Sequence, residues 1–587
     1  SMGFSVDELY DCDLDSVFSE EVEDSSMRVY STDFETTTDP ADCRVWAWAV
    51  CQVGAPDNLS YGDSIESWLD WMRKAAPCKA YFHNLAFDGA FIQDFVLKNG
   101  WEWCPDRKPH DFPAFTTVIS DMNQVYAIEL WFSATQKVTL NDSLKVIPMP
   151  VRDVAKAFGL DEGKGELDYT AYREPGHILT DEEKDYIRRD VQIVAHAMKY
   201  FHDEGMTHMT AGSNALHDYK AMCGGNAAFR KVFPVLDEQI DAFCRKAYRG
   251  GFTYCDPRHA SEEIGEGIVF DVNSLYPSVM HCCDGQALPV YAPVWFDGKY
   301  APDEAYPLWI AVLTCEFKVK PNHIPCIQLK GNARFCQTEY LKESHGLVTW
   351  AVTNVDWELI TQQYDVKNVS WGGGFKFRSS QHQFIEYIDK WTEKKIEAGK
   401  AGNKGMRTQA KLMLNSLYGK FATRRTVESR YPTITEEGAL TYVDLPPEQS
   451  DGVYLPVGVF VTSWARYKTI TSCQAVYDRF LYADTDSMHL IGTDIPDGID
   501  VDEYRLGAWK LESHFTRAKF IRAKCYMELM EETEVPTVHV AGMPANVRSQ
   551  VTFENFELGA EYDGKLYQHK VPGGIVLIPG KMQIRGV

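Results

Sequence analysis

The segment Tyr482-Ala483-Asp484-Thr485-Asp486-Ser487 places two carboxylates two residues apart in an apolar run, with Phe480 and Leu481 before it and Met488 and Leu490 after. Carboxylates beside a buried strand require a compensating cation. Hard oxygen donors with hydroxyl neighbours suit magnesium and a triphosphate. Alone, the segment is equally a polar hairpin turn, because Asp and Thr are common turn residues.

A second carboxylate set lies in the N-terminal third. Asp33-Phe34-Glu35 follows a strand-like run, and residues two apart on a strand share a face, so both acids can meet one ion. Asn84-Leu85-Ala86-Phe87-Asp88 adds a third acid. Tyr186 and Asp190 lie four apart on an expected helix and share its face. Four carboxylates could hold two metals, one activating water and one stabilising the leaving oxygen of a phosphodiester. Each motif is weak singly. The order D-x-E, N-x-x-F-D, Y-x-x-x-D is much more specific.

Two further segments belong with Asp484 and Asp486. Asp271 ends a strand-like run (Ile268, Val269, Phe270) and opens Asp271-Val272-Asn273-Ser274-Leu275-Tyr276-Pro277, whose turn offers backbone N–H groups for phosphate. Residues 404–422 read as a helix in which Arg407, Lys411, Asn415 and Tyr418, spaced by four, four and three, form one stripe. Ala410, Met413, Leu414, Leu417 and Phe421 form the neighbouring, core-facing stripe. A cationic stripe is usually a solvated face. Here the cations suit phosphate and the ring suits a base.

The elements that must position these groups alternate. Strand-like runs occur at Val29–Asp33 and Arg44–Val53, and helical patterns at Glu66–Ala75, Asp181–Phe201 and Gln381–Glu397. This implies mixed α/β domains. A chain of 587 residues, 45% hydrophobic and 24% charged, has material for several cores. The 15 cysteines include no C-x-x-C pair, so free thiols and no zinc or iron–sulfur site are expected. No stretch suits a bilayer span and no secretory signal opens the chain. Ser1-Met2 reads as an expression scar. The formal charge of -25 argues weakly against nucleic acid, because local placement matters more, and basic runs occur at Lys394-Lys395, Lys400 to Arg407 and Arg424-Arg425.

In order, D-x-x-S-L-Y-P, K-x-x-x-N-S-x-Y-G and Y-x-D-T-D-S resemble the motifs of family B DNA polymerases. The three acidic motifs upstream resemble a DnaQ-like proofreading exonuclease. Tyr248-Arg249-Gly250-Gly251, Lys524-Cys525-Tyr526 and Thr552-Phe553-Glu554-Asn555-Phe556 narrow the resemblance to the protein-primed polymerases of phi-twenty-nine-type phages, from about Val29 to near the C-terminus.

The resemblance implies an α/β and α+β multidomain chain: a ribonuclease-H-like 3′→5′ exonuclease domain, then a right-hand polymerase of palm, fingers and thumb with two palm insertions. Its implied divisions are an acidic tail (1–28), exonuclease (29–211), palm (212–282), first terminal-protein-region insertion (283–383), fingers (384–422), second insertion, a β-hairpin (423–452), palm (453–540) and thumb (541–587).

It further implies residue roles. Asp271 and Asp486, with Val272, bind two divalent ions, magnesium or manganese, and Asp484 supports them. Asp33, Glu35, Asp88 and Asp190 hold two more, with Tyr186 orienting water and Lys164 assisting. Tyr276 excludes a 2′-hydroxyl. Lys395, Arg407, Lys411, Asn415 and Tyr418 bind the nucleotide. His83, Asn84, Phe87, Ser143 and Leu144 contact single-stranded DNA. Tyr248, Gly250 and Gly251 link the two sites, and Lys524 and Tyr526 hold the primer end. Asp356 falls in the first insertion at a position the family uses.

The implied activity is replication of a viral genome with strand displacement and proofreading. The implied partners are template, primer, deoxynucleoside triphosphates and a terminal protein, for a monomer in the host-cell cytoplasm. A related enzyme using a nucleic-acid primer, or none, is the alternative. A scaffold without catalysis is the third reading, and the presence of every expected metal carboxylate argues against it.

Overall fold

The computed structural model describes residues 26–160 and 166–586. Nearly all of the expected acidic tail, and Lys164, lie outside the described residues. Two large sheets carry the two carboxylate sets.

The first sheet has ten strands. Arg28–Thr36 lies at its interior, antiparallel to Val45–Gln52 and parallel to Cys78–Phe82. Beyond Cys78–Phe82 come Lys137–Asp142, Val125–Trp131 and Ala114–Ser120. Val45–Gln52 is apolar on both faces because both are covered. Trp48 and Val50 pack with Trp68 and Met72 of helix Ile65–Ala75. Trp46, Ala47 and Ala49 pack with Ile187 and Val191 of helix Asp181–Asp203. A capping box between Thr180 and Glu183 fixes where that helix starts.

This sheet is completed from far along the chain. Ser429–Ile434 pairs with Ala114–Ser120, and Leu440–Asp444 pairs with Ser429–Ile434. The segment expected as a second-insertion hairpin is therefore part of the exonuclease-like sheet.

The second sheet runs Thr253–Cys255, Phe480–Asp484, Ser487–Ile491, Gly267–Val272, Trp509–Arg522, Cys525–Met530, Thr537–Val540. One face packs on helix Leu455–Ala475 and the main core through Phe270, Ala483, Met488 and Leu490. The other carries Tyr482, Phe520 and Tyr526. A four-stranded sheet of Leu288–Phe296, Tyr364–Ser380, Leu308–Val319 and Val348–Thr353, with helix Asn354–Gln363, occupies the expected first insertion.

Helices Ile385–Lys400 and Lys404–Ala422 pack as a pair. The first begins four residues later than the sequence pattern suggests, because Gln381 is turned back onto the Gly285 and Gln286 carbonyls. Near the C-terminus, Glu561–Val571 and Gly574–Gln583 form a hairpin whose tip meets the other hairpin at Pro572 and Ala439.

Among the described residues every cysteine is a free thiol, and no helix is long and apolar enough to cross a membrane.

Candidate active sites

The polymerase-like site is built on a hairpin. Asp484 pairs with Ser487 across Phe480–Asp484 and Ser487–Ile491, leaving Thr485 and Asp486 as the turn. Thr485 has φ +54, a left-handed conformation that strains a β-branched residue. Neighbours hold it there. Thr485 N donates to the Phe252 carbonyl at 2.6 Å, and Thr469 Oγ1 donates to the Thr485 carbonyl at 2.7 Å. Val272 N donates to the Asp486 carbonyl at 2.8 Å.

Antiparallel register sets Asp271 opposite Ser487 on one side and Lys510 on the other. Asp271 and Asp486 are thereby neighbours. Burial, then Asp271 and Asp484, push the Asp486 carboxyl up to about 7. Burial, then Glu512, raise Asp271. The Val272 side chain has no donor atom, so only its carbonyl can serve an ion.

Asp484 differs from its pair. Lys524 Nζ lies 2.7 and 2.8 Å from its two oxygens, and Thr253 Oγ1 donates to it at 3.1 Å. Its lone pairs are already engaged.

Tyr276 opens helix Leu275–His281, with its ring 4.5 Å from that of Tyr418. Tyr418 departs from the expected exposed stripe. Arg407, Lys411 and Asn415 are exposed, but Tyr418 is 1% exposed and its hydroxyl meets that of Tyr248 at 2.7 Å. By that point the helix is enclosed by helices Leu455–Ala475 and Leu275–His281, so its outer stripe becomes an inner one. Lys395 reaches the same cations from the neighbouring helix. Burial, then Arg407, Lys411 and Lys510, lower its pKa. Cations that repel one another in this way fit a polyanionic ligand.

The Tyr248–Gly251 loop is held by a residue that sequence reasoning missed. Arg466 Nη1 donates to the Arg249 and Gly250 carbonyls at 2.7 and 2.8 Å, and Arg466 Nη2 lies 2.8 and 2.9 Å from the Asp356 oxygens. This gives Asp356 a structural partner. Lys510 and Glu512 were also missed. Lys510 pairs opposite Asp271 and Glu512 is the extra residue at the register shift beside it, a placement visible only once the register is known.

The exonuclease-like site gathers Asp33, Glu35, Asp88 and Asp190. Burial, then Asp88, Glu35 and Asp190, raise Asp33 well above the carboxylate range. Burial, then Asp190, push Glu35 up to about 8, against the lowering effect of Arg173. Burial, then Glu35, raise Asp88, and burial raises Asp190. Among the described residues no three such groups close into a preformed cage. Both sites instead present hard oxygen donors that repel one another without a dication, and that donor set fits magnesium.

Tyr186 lies beside them, its hydroxyl in contact with that of Tyr169. Tyr169 is a neighbour that sequence reasoning missed. His83 Nδ1 meets Ser143 Oγ at 2.9 Å and its Nε2 meets the Met149 carbonyl at 2.6 Å. Ser143 is fully buried and also donates to the Phe82 carbonyl at 3.1 Å. Its side chain therefore fixes His83 and has no open surface, whereas Leu144 is half-buried. Asn84, at φ +87, is exposed at the start of helix Leu85–Lys98, and Phe87 is half-buried one turn on. Tyr526 is buried in an aromatic stack with Tyr482, Phe520 and His539.

One sheet with paired carboxylates under a cationic helix, and another with a separate acidic cluster, define a nucleotidyl-transferring enzyme with a second, hydrolytic phosphodiester site. The chain matches the family model for DNA polymerase type B, organellar and viral, over residues 70–181 and 172–503. It is 42% identical to the DNA polymerase of Bacillus phage B103 over 582 residues, covering 95% of this chain and 100% of that one. It is also 42% identical to the DNA polymerase of Bacillus phage phi29, covering 95% and 99%. The solved phi29 DNA polymerase complexed with primer-template DNA and incoming nucleotide substrates superposes with a TM-score of 0.88, at 42% identity, over 95% of this chain and 100% of that one. The chain belongs to the protein-primed, viral branch of the family B DNA polymerases, the phi29 group, and is a DNA-directed DNA polymerase with 3′→5′ exonuclease activity.

Proposed function

We propose that two divalent ions serve each site, magnesium with manganese as a substitute, and that the expected residues hold them: Asp271, Asp486 and the Val272 carbonyl in one, Asp33, Glu35, Asp88 and Asp190 in the other. When bound, the ions lower the pKa of the primer hydroxyl or of water and neutralise the leaving oxygen. The chain's own groups do the rest. Lys395, Arg407 and Lys411 neutralise triphosphate charge, and Asn415 lies beside them. Tyr276, backed by Tyr418, closes the space beside the sugar to a 2′-hydroxyl. Lys524 holds the primer end and keeps Asp484 in place.

In the exonuclease site Tyr186 orients the attacking water, with Lys164 assisting. His83, Asn84, Phe87 and Leu144 hold the frayed strand, and Ser143 fixes His83. The Tyr248, Gly250 and Gly251 loop passes the strand between sites.

The partners in this reading are template, primer, deoxynucleoside triphosphates and a terminal protein met by the first insertion (283–383). The enzyme works as a monomer in the host-cell cytoplasm. The observation that carries the reading is the buried pairing of Asp271 with Asp486 beside mutually repelling cations. Labelled dATP incubated with a candidate terminal protein tests the priming partner. Label covalently attached to that protein supports it. Extension of a nucleic-acid primer with no protein labelling refutes it.

A further inference from the structure

The second sheet carries a buried acid–imidazole pair on the face away from the main core. Glu528 Oε2 lies 2.9 Å from His489 Nδ1, and their side chains are 2% and 3% exposed. A carboxylate so enclosed needs its partner, because stripping that partner away leaves a desolvated charge.

The His489 ring meets three others edge-on: Tyr482 at 5.4 Å, Phe520 at 5.4 Å and Tyr526 at 5.2 Å. Phe520 stacks on both Tyr482 and Tyr526, those two meet at a 45° tilt, and His539 stacks on Tyr526 at 4.5 Å with a 17° interplanar angle. Burial pushes His539 down to about 4, so it stacks as a neutral ring.

Tyr482 ends this assembly at a functional residue. Its hydroxyl accepts the Lys524 backbone N–H at 2.8 Å. Lys524 has φ +60, an uncommon conformation that needs such a hold, and this turns its ammonium onto Asp484. One continuous path thus runs from the Glu528 carboxylate through the His489 ring and the aromatic stack to the Lys524 backbone.

We propose that Glu528 is a positioning residue for the primer grip: through His489 it fixes the ring stack that sets Tyr526 and the backbone of Lys524. The proposal rests on Lys524 holding the primer end, as read above. Glu528 touches no substrate itself. Its carboxylate orients an imidazole whose edge-on contacts allow the stack one arrangement.

The test uses the full chain as Glu528→Leu, Glu528→Gln, Lys524→Ala and the Glu528→Leu/Lys524→Ala double variant. Primer–template affinity is measured without divalent ion, so that neither strand is processed. Glu528→Leu should weaken it about tenfold, the fold-change expected when the Lys524 ammonium no longer meets the primer. Glu528→Gln should stay within about twofold, because its amide oxygen still accepts from Nδ1–H. Glu528→Leu should leave the nucleotide KM and degradation of a single-stranded oligonucleotide in magnesium unchanged. The double variant should bind no more weakly than Lys524→Ala alone, since both act on one path.

The proposal is overturned if Lys524→Ala weakens primer–template binding and Glu528→Leu does not. It is overturned equally if Glu528→Leu depresses synthesis and single-strand degradation by the same factor, the signature of general unfolding. If Lys524→Ala binds normally, the primer-grip reading fails and the proposal falls with it.

Discussion

A Cβ at Gly251 would stand 2.4 Å from Thr485 Oγ1 and 2.7 Å from Thr485 Cγ2. The Tyr248–Gly251 loop therefore touches the turn bearing Asp486, and only a residue without a side chain fits. Thr485 cannot retreat easily, since its amide and carbonyl are both held. Gly251→Ala should push the turn aside. A shift of about 1 Å at reacting groups can cost about a hundredfold in rate. Polymerisation kcat should fall on that order while degradation of single-stranded DNA is retained. Parental synthesis by Gly251→Ala would show that the contact is tolerated.

Asp486→Ala should abolish synthesis and leave 3′→5′ degradation, because its neighbours are Asp271 and Asp484 and none belongs to the other cluster. Asp33→Ala with Glu35→Ala should do the reverse. Primer extension and removal of a mismatched 3′ end, assayed side by side in magnesium, separate the two. Loss of both activities in either variant contradicts two independent sites.

Raised carboxyl pKa values set a pH dependence. Asp486 stands at about 7 and Glu35 at about 8, each raised first by burial. In the unfolded chain such groups ionise near pH 4. A carboxyl raised on folding contributes stability that is fully present below its unfolded pKa and lost as pH rises through its folded pKa. Without divalent ion, melting temperature should therefore drop between about pH 5 and pH 8, and less so in an Asp486→Asn/Glu35→Gln variant. Magnesium binds the ionised form, so its stabilising effect should grow over the same window. A magnesium-induced shift that is flat with pH, or equal in the variant, would count against both metal sites.

Asp356→Ala should destabilise the chain and loosen the loop together. Arg466 is 6% exposed on its side chain and loses its carboxylate partner in that variant. Removing one member of a buried pair costs about 3–5 kcal/mol. Arg466→Lys should also be poorly tolerated, because one ammonium cannot reach two carbonyls and a carboxylate in fork geometry. Chemical denaturation gives the stability, and transfer of a primer end between sites gives the function. A stable Asp356→Ala variant with normal transfer would mean the first insertion does not brace the loop.

How far the sequence announces this arrangement follows from how local each feature is. Asp33 with Glu35, and the Asp484–Asp486 turn, are legible because strand periodicity is two and each motif is complete within a few residues. Helix Lys404–Ala422 is legible from its two stripes, though the burial of Tyr418 is not, because it depends on Tyr276 and Tyr248 from remote segments closing over it. Helix Leu455–Ala475 escapes a periodicity search because it is buried nearly all round and has no polar stripe. Arg466 sits on it, so the brace between Asp356 and Gly250 was invisible as well. Pairing of Ser429–Ile434 with Ala114–Ser120 joins segments remote in sequence, and no local pattern encodes it.

That remote pairing yields the last prediction. Ser429 and Arg430 pair with Ser120 and Ile119, and Tyr431 stacks on Trp103 at 5.0 Å. From the next strand, Gln93 Nε2 donates to the Tyr442 hydroxyl at 3.1 Å, and Lys570 Nζ lies 3.9 Å from the Tyr442 ring centroid. At the tip, Ala439 pairs with Pro572, and Gly573 N donates to Asp94 Oδ2 at 3.2 Å. The hairpin thus adds a second tie between the exonuclease-like sheet and the C-terminal hairpin, which Asp94 and Cys43 also hold directly, and its removal loosens both. Replacing 429–444 with a short Gly-Ser turn should shorten the product made per binding event and weaken synthesis through duplex. Extension by a single nucleotide, and degradation of a short single strand, should remain near parental, because both carboxylate sets lie on elements outside 429–444. Tyr442→Ala should show the same defect more weakly, since it removes two of the contacts and leaves the strand pairing. Product length under a heparin trap measures it. Unchanged length in both variants would mean that the sheet-to-hairpin tie does not keep the enzyme on its template.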